Sequence, residues 1–195
     1  MGDENMSDFI TFDTETNIVK EEVIHPYDIL MEGHTSLKQE VKEYDVKLLP
    51  NSAMKKIVNR MKVTMSTYNG LGLSATQCGV MERLFIIGTN DFQMVCINPE
   101  ILQTGEAYKK QREGCLSYPG LYLYVHRYEK IFVRFWTESG EMKEVWLEGL
   151  TAQCFQHELD HLDGVCYDEH VAPVAMMMAR KRQQKLIKKV QRLSK

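Results

Sequence analysis

Apolar residues return every three or four positions in three stretches of the chain, a spacing typical of helices that bury one face. The first helix is predicted to begin at Ser52, a candidate cap, and to end at Asn69-Gly70. The second is predicted over about 151–162, with Thr151 as its cap. The third is predicted over about 173–193, with an apolar face formed by Ala179, Leu186, Val190 and Leu193.

Short apolar runs between the first two helices predict β-strands. Five runs fit this interpretation, at residues 84–87, 94–97, 121–125, 131–136 and 142–147. The last two are separated by residues 137–140, a polar segment that ends in glycine and suits a hairpin. Because the strands do not alternate regularly with helices, we expect an α+β fold. In it, mainly antiparallel sheets would pack around the second helix, and a C-terminal helix would follow.

Composition places the chain among globular proteins of one domain, since 44% of its 195 residues are hydrophobic and 26% are charged. We expect residues 18–195 to form that domain. Residues 1–17 are acidic and are expected to be a flexible segment without a secretory or transit signal. No run of eighteen apolar residues occurs, so no membrane association is expected. Five cysteines without a C-x-x-C pair favour reduced thiols in the cytoplasm.

The net charge of −3 conceals an asymmetry along the chain. Residues 1–50 contain twelve acidic residues and four lysines, whereas residues 180–195 contain eight basic residues and no acid. A basic helix of this kind is either a solvated surface or a patch that meets phosphate, and the sequence leaves both open. Sequence-specific binding of nucleic acid is not expected.

The predicted second helix contains the pentapeptide H-E-x-x-H, from His157 to His161. Residues four apart lie on one face of a helix, so both imidazoles can point at one metal ion. Glu158, next to the first histidine, can reach a coordinated water as a general base. A helix with two surface histidines and chance acidic neighbours is the alternative interpretation.

A catalytic zinc-type site needs a third protein ligand and one open position. A metzincin protease would supply a histidine six residues after His161, but Tyr167 stands there. Cys115 lies upstream in a short segment that follows a glycine, and a thiolate there is a good ligand for zinc or iron. An isolated cysteine is more often a buried structural residue. Spacing leaves three further candidates, Asp168, Glu169 and His170.

Three segments occur in order along the chain: GLGLSATQ at 70–77, EGCLS at 113–117 and QHELDHLDG at 156–164. Alone, the glycine-rich segment would indicate a turn, although its glycines allow the backbone to approach a ligand. Together the three resemble the signature motifs of peptide deformylases. The resemblance implies a metal-dependent hydrolase that removes the formyl group from the N-terminal methionine of nascent polypeptides and releases formate.

The same resemblance implies roles for individual residues. The metal ligands would be Cys115, His157 and His161. Hydroxide on the metal would attack the formyl carbon, with Glu158 as general base and acid, and the Gln77 amide and Leu116 N–H would stabilise the oxyanion. Glu113 and Arg127 would form a supporting ion pair. The residues implied to bind substrate are Gly70, Leu71 and Gly72 along its backbone, and Leu150, Gln153 and Cys154 around the methionine side chain.

Two residues depart from the family pattern. Ser74 replaces a common alanine, a small change that we do not expect to disturb the geometry. Gln153 stands where the family usually has an aliphatic residue, which puts the polarity of the methionine pocket in question.

The resemblance also implies the cofactor and the partners. It implies Fe²⁺ in the cell, with Zn²⁺, Ni²⁺ or Co²⁺ able to substitute, and N-formylmethionyl peptides as substrates. In bacterial relatives a C-terminal helix helps docking on the ribosome, so the basic helix here could do the same. The rival hypotheses are a zinc endoprotease, a binding module that keeps the fold without catalysis, and a cysteine hydrolase.

Overall fold

The computed structural model describes residues 24–193, so the predicted acidic segment 1–17 lies outside the described residues. The helices are α1 (Ser52–Thr67), α2 (Gly149–Leu162) and α3 (Pro173–Leu193). The strands are β1 (Gly72–Ser74), β2 (Leu84–Gly88), β3 (Gln93–Thr104), β4 (Tyr108–Cys115), β5 (Tyr118–Tyr128), β6 (Lys130–Trp136) and β7 (Met142–Glu148). Short 3-10 helices lie at Thr35–Lys38, Val46–Leu48, Ala75–Cys78 and Tyr167–His170.

Five strands form an antiparallel sheet in the order β1-β2-β3-β6-β7, and its strand β2 is buried on both faces. Alternate residues of a strand point to opposite faces. In β2, Leu84 and Ile86 therefore pack with Met61 of α1. Phe85 and Ile87 point the other way and pack with Phe155 of α2. Because helices cover both faces, β2 is a continuous apolar run.

Strands β4 and β5 form a separate antiparallel pair. Along β5, Leu121, Leu123 and Val125 are buried, and the residues between them are exposed. The buried side packs against Tyr167 and against Ala179 of α3. This pair therefore has its own apolar layer, and α2 lies between it and the five-stranded sheet.

Helix α3 is held mainly at its first half. Ala179 is its one buried residue, and Gln183 Nε2 donates to the backbone oxygen of Pro119 at 2.8 Å. Arg180 forms an ion pair with Glu32. Among residues 24–193, no helix combines the length and the apolar character that a membrane crossing requires.

The structure confirms the predicted α+β class, with antiparallel sheets around the helix that carries H-E-x-x-H and a C-terminal helix. The helix starts differ in detail. Asn51 rather than Ser52 caps α1, because its side chain accepts from the backbone N of Met54. Helix α2 begins at Gly149, before Thr151. Helix α3 has the predicted bounds, but the rest of its predicted apolar face is exposed: Leu186, Val190 and Leu193.

Phe155 provides a test of this packing. It is fully buried and meets Phe85 edge to face, with ring centroids 4.9 Å apart. Phe155→Ala should lower the free energy of unfolding by about 3–5 kcal/mol, because it leaves a cavity between α2 and β2. Denaturant unfolding would measure this. The control Phe92→Ala, at a site that is 70% exposed, should change stability little, and an equal effect of both variants would contradict the packing described.

Candidate metal centre and active site

The second half of α2 presents His157 and His161 on one face, one turn apart. Both side chains are buried, and their ring centroids lie 5.1 Å apart. Cys115, the last residue of β4, lies opposite them, with its Sγ 3.3 Å from Nε2 of His161. One ligand atom from each of the three residues lies within 4.8 Å of the other two. Two distant parts of the chain thus bring a thiol and two imidazoles to one point.

The spacing of these atoms suits a single divalent cation. Bonds from zinc of about 2.3 Å to sulfur and about 2.1 Å to nitrogen, at a tetrahedral angle, place the two ligand atoms about 3.6 Å apart. The 3.3 Å between Cys115 Sγ and His161 Nε2 is close to that value. Burial lowers the pKa of His161 well below its ordinary value, so this imidazole is neutral, as a metal ligand must be.

A buried ion-pair cluster orients His157 from behind. Nδ1 of His157 lies 2.9 Å from Oε2 of Glu113, which leaves Nε2 on the side of the other two candidate ligands, Cys115 and His161. Nε of Arg127 donates to Oε1 of Glu113 at 2.8 Å, and its Nη1 donates to Oδ2 of Asp160 at 2.6 Å. Burial alone would raise the pKa of Glu113, but hydrogen bonds with His157 and Arg127 lower that pKa to about 2. Glu113 is therefore ionised at neutral pH and can accept the proton on Nδ1.

Glu158 points toward β1 rather than toward this cluster. Its Oε2 lies 2.8 Å from the hydroxyl oxygen of Ser74. A Cβ added at Gly72 would clash with Oε1 of Glu158, so only glycine lets the carboxylate lie against this backbone. Burial raises the pKa of Glu158, and the negative charge of Glu113 raises it further. A carboxylate with a raised pKa is suited to taking up a proton.

Gln77, in the 3-10 helix after β1, holds its amide in a fixed orientation. Its Oε1 accepts from the backbone N of Ser74 at 3.0 Å. Its Nε2 therefore points the other way and lies 3.4 Å from Cys115 Sγ and 3.1 Å from the hydroxyl oxygen of Ser117. Cys115, His157 and His161 together are called the ligand cluster. An N–H donor aimed at this cluster is placed where it could stabilise charge that develops on a substrate oxygen.

A cavity of about 640 Å³ opens beside these groups. Gln77, Leu116 and Glu158 line it, together with two of the candidate ligands, Cys115 and His157. Burial raises the pKa of Cys154 to about 12, so its thiol is uncharged. All the residues implied to bind substrate also line the cavity: Gly70, Leu71, Gly72, Leu150, Gln153 and Cys154.

The other candidates for a third ligand have different partners. His170 Nε2 lies 2.7 Å from Oδ2 of Asp160. Asp168 and Glu169 cluster with Cys166 instead of the imidazoles. Tyr167 packs its ring against that of His157, with centroids 5.3 Å apart, and donates its hydroxyl to the backbone oxygen of Leu121. Within residues 24–193, Cys115 is thus the residue that completes the group with the two histidines.

Sequence reasoning gave no role to three polar residues that contact this site. Ser74 does more than fill the space of an alanine, because its hydroxyl bonds to Glu158. Asp160 lies three residues after His157, on the same side of α2, so helical spacing could have identified it. Ser117 is brought to Gln77 by the fold alone, and no local pattern indicated that contact.

The cavity reaches the ligand atoms, so an ion held by three protein donors would keep one coordination position accessible to a substrate. Structural zinc sites are instead closed by four protein ligands. A buried carboxylate and an oriented amide beside an open site are features of hydrolytic centres. Fold and site together are those of a metal-dependent hydrolase.

Comparisons with known proteins identify the family. The sequence model for polypeptide deformylases matches residues 26–176. The peptide deformylase of Aquifex aeolicus is 37% identical over 177 residues, which cover 88% of this chain and 98% of that protein. The chain therefore belongs to the polypeptide deformylase family, and it is an enzyme that deformylates nascent peptides.

Solved structures agree with this assignment. A crystal structure of a peptide deformylase from Legionella pneumophila has a TM-score of 0.76 and 35% identity, and the match covers 86% of this chain and 98% of that chain. A peptide deformylase from Acinetobacter baumannii, crystallised with Met-Ala-Ser bound, has a TM-score of 0.73 and 29% identity, covering 76% of this chain and 100% of that chain. The family, fold and enzyme class predicted from the sequence are confirmed.

Proposed function

We propose that this enzyme hydrolyses the N-formyl group of methionyl peptides at a metal centre held by Cys115, His157 and His161. The observation that carries the proposal is the approach of these three donor atoms to within 4.8 Å of one another at the wall of a cavity that Glu158 also lines. The relative from Acinetobacter baumannii supports the substrate class, because Met-Ala-Ser has the form of a deformylated N-terminus.

A divalent ion bound there would lower the pKa of a coordinated water to about 7 and would polarise the formyl carbonyl. We infer Fe²⁺ as the ion in the cell, with Zn²⁺, Ni²⁺ or Co²⁺ able to substitute. Two imidazoles and a thiolate suit zinc and iron. The preference for iron is supported by family resemblance.

Glu158 moves the protons in this mechanism. Its raised pKa lets the carboxylate take a proton from the attacking water and later give it to the departing amine nitrogen. The hydrogen bond from Ser74 and the close backbone at Gly72 hold the carboxylate at the cavity wall. Water oxygen joins the formyl carbon, the carbon–nitrogen bond breaks, and the products are formate and a free N-terminal amine.

Two donors stabilise the charge that gathers on the formyl oxygen. The Nε2 of Gln77 is already oriented toward the ligand cluster by the bond from Ser74 N to its Oε1. The backbone N–H of Leu116 follows the ligand Cys115 and is the second donor. Loss of one such donor typically costs about 3 kcal/mol of transition-state stabilisation.

The remaining site residues position the ligands and the substrate. Glu113 fixes the ring of His157, and Arg127 fixes Glu113. The substrate backbone lies along residues 70–72, beside Glu158. The first side chain enters the part of the cavity formed by Leu150, Gln153 and Cys154.

We further propose that the second half of α3 contacts ribosomal RNA. A shallow basic concavity lies there. The side chains that line it are Lys185, Lys188, Lys189, Arg192 and Leu193. Such a surface can neutralise phosphates. The alternative is that the same side chains are merely solvated.

We also propose that residues 18–195 act as one catalytic domain in the cytoplasm, where peptides leave the ribosome. The described part of that range supports this, because α2 packs against both sheets and α3 packs against β5. The family match at residues 26–176 reaches into α3.

Glu158→Gln tests the role of Glu158. The amide keeps the shape of the side chain but cannot accept a proton, so kcat should fall by about a hundredfold to ten-thousandfold while the metal content stays unchanged. Formate release from a formyl-Met peptide and elemental analysis would measure the two quantities. The control Glu141→Gln, in the exposed turn after β6, should keep full activity. Full activity of metal-replete Glu158→Gln would remove the proposed base.

Cys115→Ala tests the metal centre. Loss of the thiolate leaves two imidazole ligands, so the metal content per chain should fall sharply after dialysis. The control Cys96→Ala removes a buried thiol of the core and should keep the metal. An unchanged metal-to-protein ratio in Cys115→Ala would show that the thiol is not a ligand.

Cleavage of internal peptide bonds by the wild type would instead favour an endoprotease.

A charge substitution in α3 tests ribosome contact. The double variant Lys188→Ala/Lys189→Ala should bind ribosomes more weakly. The slope of log binding constant against log salt concentration should also become shallower, by about one for each phosphate that the variant no longer neutralises. Sedimentation with ribosomes at several salt concentrations measures this. The matched double variant Lys55→Ala/Lys56→Ala, on the exposed side of α1, should bind as the wild type does. Equal binding by both variants would favour the solvated-surface alternative.

A further inference from the structure

The wall that α2 contributes to the cavity contains one buried amide. Leu150, Gln153 and Cys154 share the side of α2 that carries His157, at helical spacing. Gln153 is only 7% exposed and precedes His157 by four residues, or about 6 Å along the helix axis. An unbranched side chain of methionine length spans a comparable distance. A substrate with its formyl group at the ligand cluster therefore brings its first side chain to Gln153.

One hydrogen bond fixes the orientation of this amide. The Nε2 of Gln153 donates to the backbone oxygen of Arg112 in β4, at 3.1 Å. A carbonyl oxygen only accepts, so the amide nitrogen must face β4 and Oε1 must face away from it. No residue within 24–193 donates a hydrogen bond to Oε1, and that oxygen is not fully enclosed by protein. The cavity is thus lined by a fixed acceptor.

We propose that Gln153 is a specificity-determining residue that opens the first-residue pocket to an unbranched side chain with a neutral hydrogen-bond donor near its end, such as glutamine. The inference rests on the proposed function, which places the first residue of an N-formyl peptide against this wall. An apolar side chain that covers Oε1 removes water from an acceptor without replacing the hydrogen bond. A side chain with a donor replaces that bond.

The rest of this wall explains why the donor should be neutral. Leu150 is apolar, and the buried thiol of Cys154 is uncharged at neutral pH. A buried ammonium group would lose its hydration and would gain one acceptor in return. An amide donor loses less hydration and gains the same bond.

A pair of isosteric substrates isolates the role of the donor in the wild-type, metal-loaded enzyme. The peptides are formyl-Gln-Ala-Ser and its analogue with 5-oxonorleucine, in which a methyl group replaces the side-chain NH₂ of glutamine. Their first side chains have almost the same size and differ in the donor. The kcat/KM for the glutamine peptide should exceed that for the analogue by about tenfold. Equal values would overturn the inference.

Gln153→Leu assigns the effect to this residue. Leucine has a similar volume without an amide, so the preference between the two isosteric peptides should disappear, while kcat/KM for formyl-Met-Ala-Ser should hold or rise. Because each result is a ratio of two substrates, partial unfolding of a variant does not alter it. A wild-type ratio in Gln153→Leu would overturn the inference.

Gln156→Leu is the matched control on the same helix. The amide of Gln156 is bonded to the backbone of Tyr128 and Ala152, and it does not line the cavity. This variant should keep the wild-type ratio. Failure of the wild type to release formate from formyl-Met-Ala-Ser would contradict the proposed function itself, a result distinct from equal rates on the isosteric pair.

Discussion

The arrangement of the site depends on one buried guanidinium. Arg127 of β5 lies between Glu113 of β4 and Asp160 of α2, and its side chain is only 5% exposed. Burying such charges costs hydration, and removal of one partner of a buried pair typically costs about 3–5 kcal/mol. Cys115 lies two residues beyond Glu113, and the histidines flank Asp160 in α2. The ion pairs of Arg127 join β4 and β5 to α2. They therefore also set the distance between the Cys115 thiol and the two imidazoles.

Helix α2 serves the core and the site with opposite faces. Ala152, Phe155 and Leu162 pack into the five-stranded sheet, whereas His157 and His161 approach Cys115 at the end of β4. A ligand geometry must be held to within a fraction of an ångström, and packing on both sides of a helix provides that rigidity. The proposed chemistry on one face of α2 therefore depends on the packing of the core against its other face.

The sequence predicted those features that are local. H-E-x-x-H placed two histidines on one helical face, and the apolar run at 121–125 indicated a strand. Strand β4 was not predicted, because Tyr108–Cys115 is mostly polar and exposed and shows no apolar pattern. Its pairing with β5 stabilises the strand instead. Strand β1 is too short to show a period. The bond between Ser74 and Glu158 joins residues 84 positions apart, so no local pattern could reveal it.

Charge balance links the ion-pair cluster to the proposed cation. Three carboxyl groups, from Glu113, Glu158 and Asp160, surround the site with the Cys115 thiol, and Arg127 forms ion pairs with two of them, Glu113 and Asp160. Burial lowers the pKa of His157, but hydrogen bonds to Cys115 and Glu113 outweigh it and raise that pKa well above its ordinary value. Burial also raises the pKa of Glu158. Negative charge beside His157 thus favours its protonated form, whereas desolvation is the main cause of the shift at Glu158. A divalent cation among the three donors would compensate that charge and displace the proton from His157, which is why metal binding and proton release should be coupled in this enzyme.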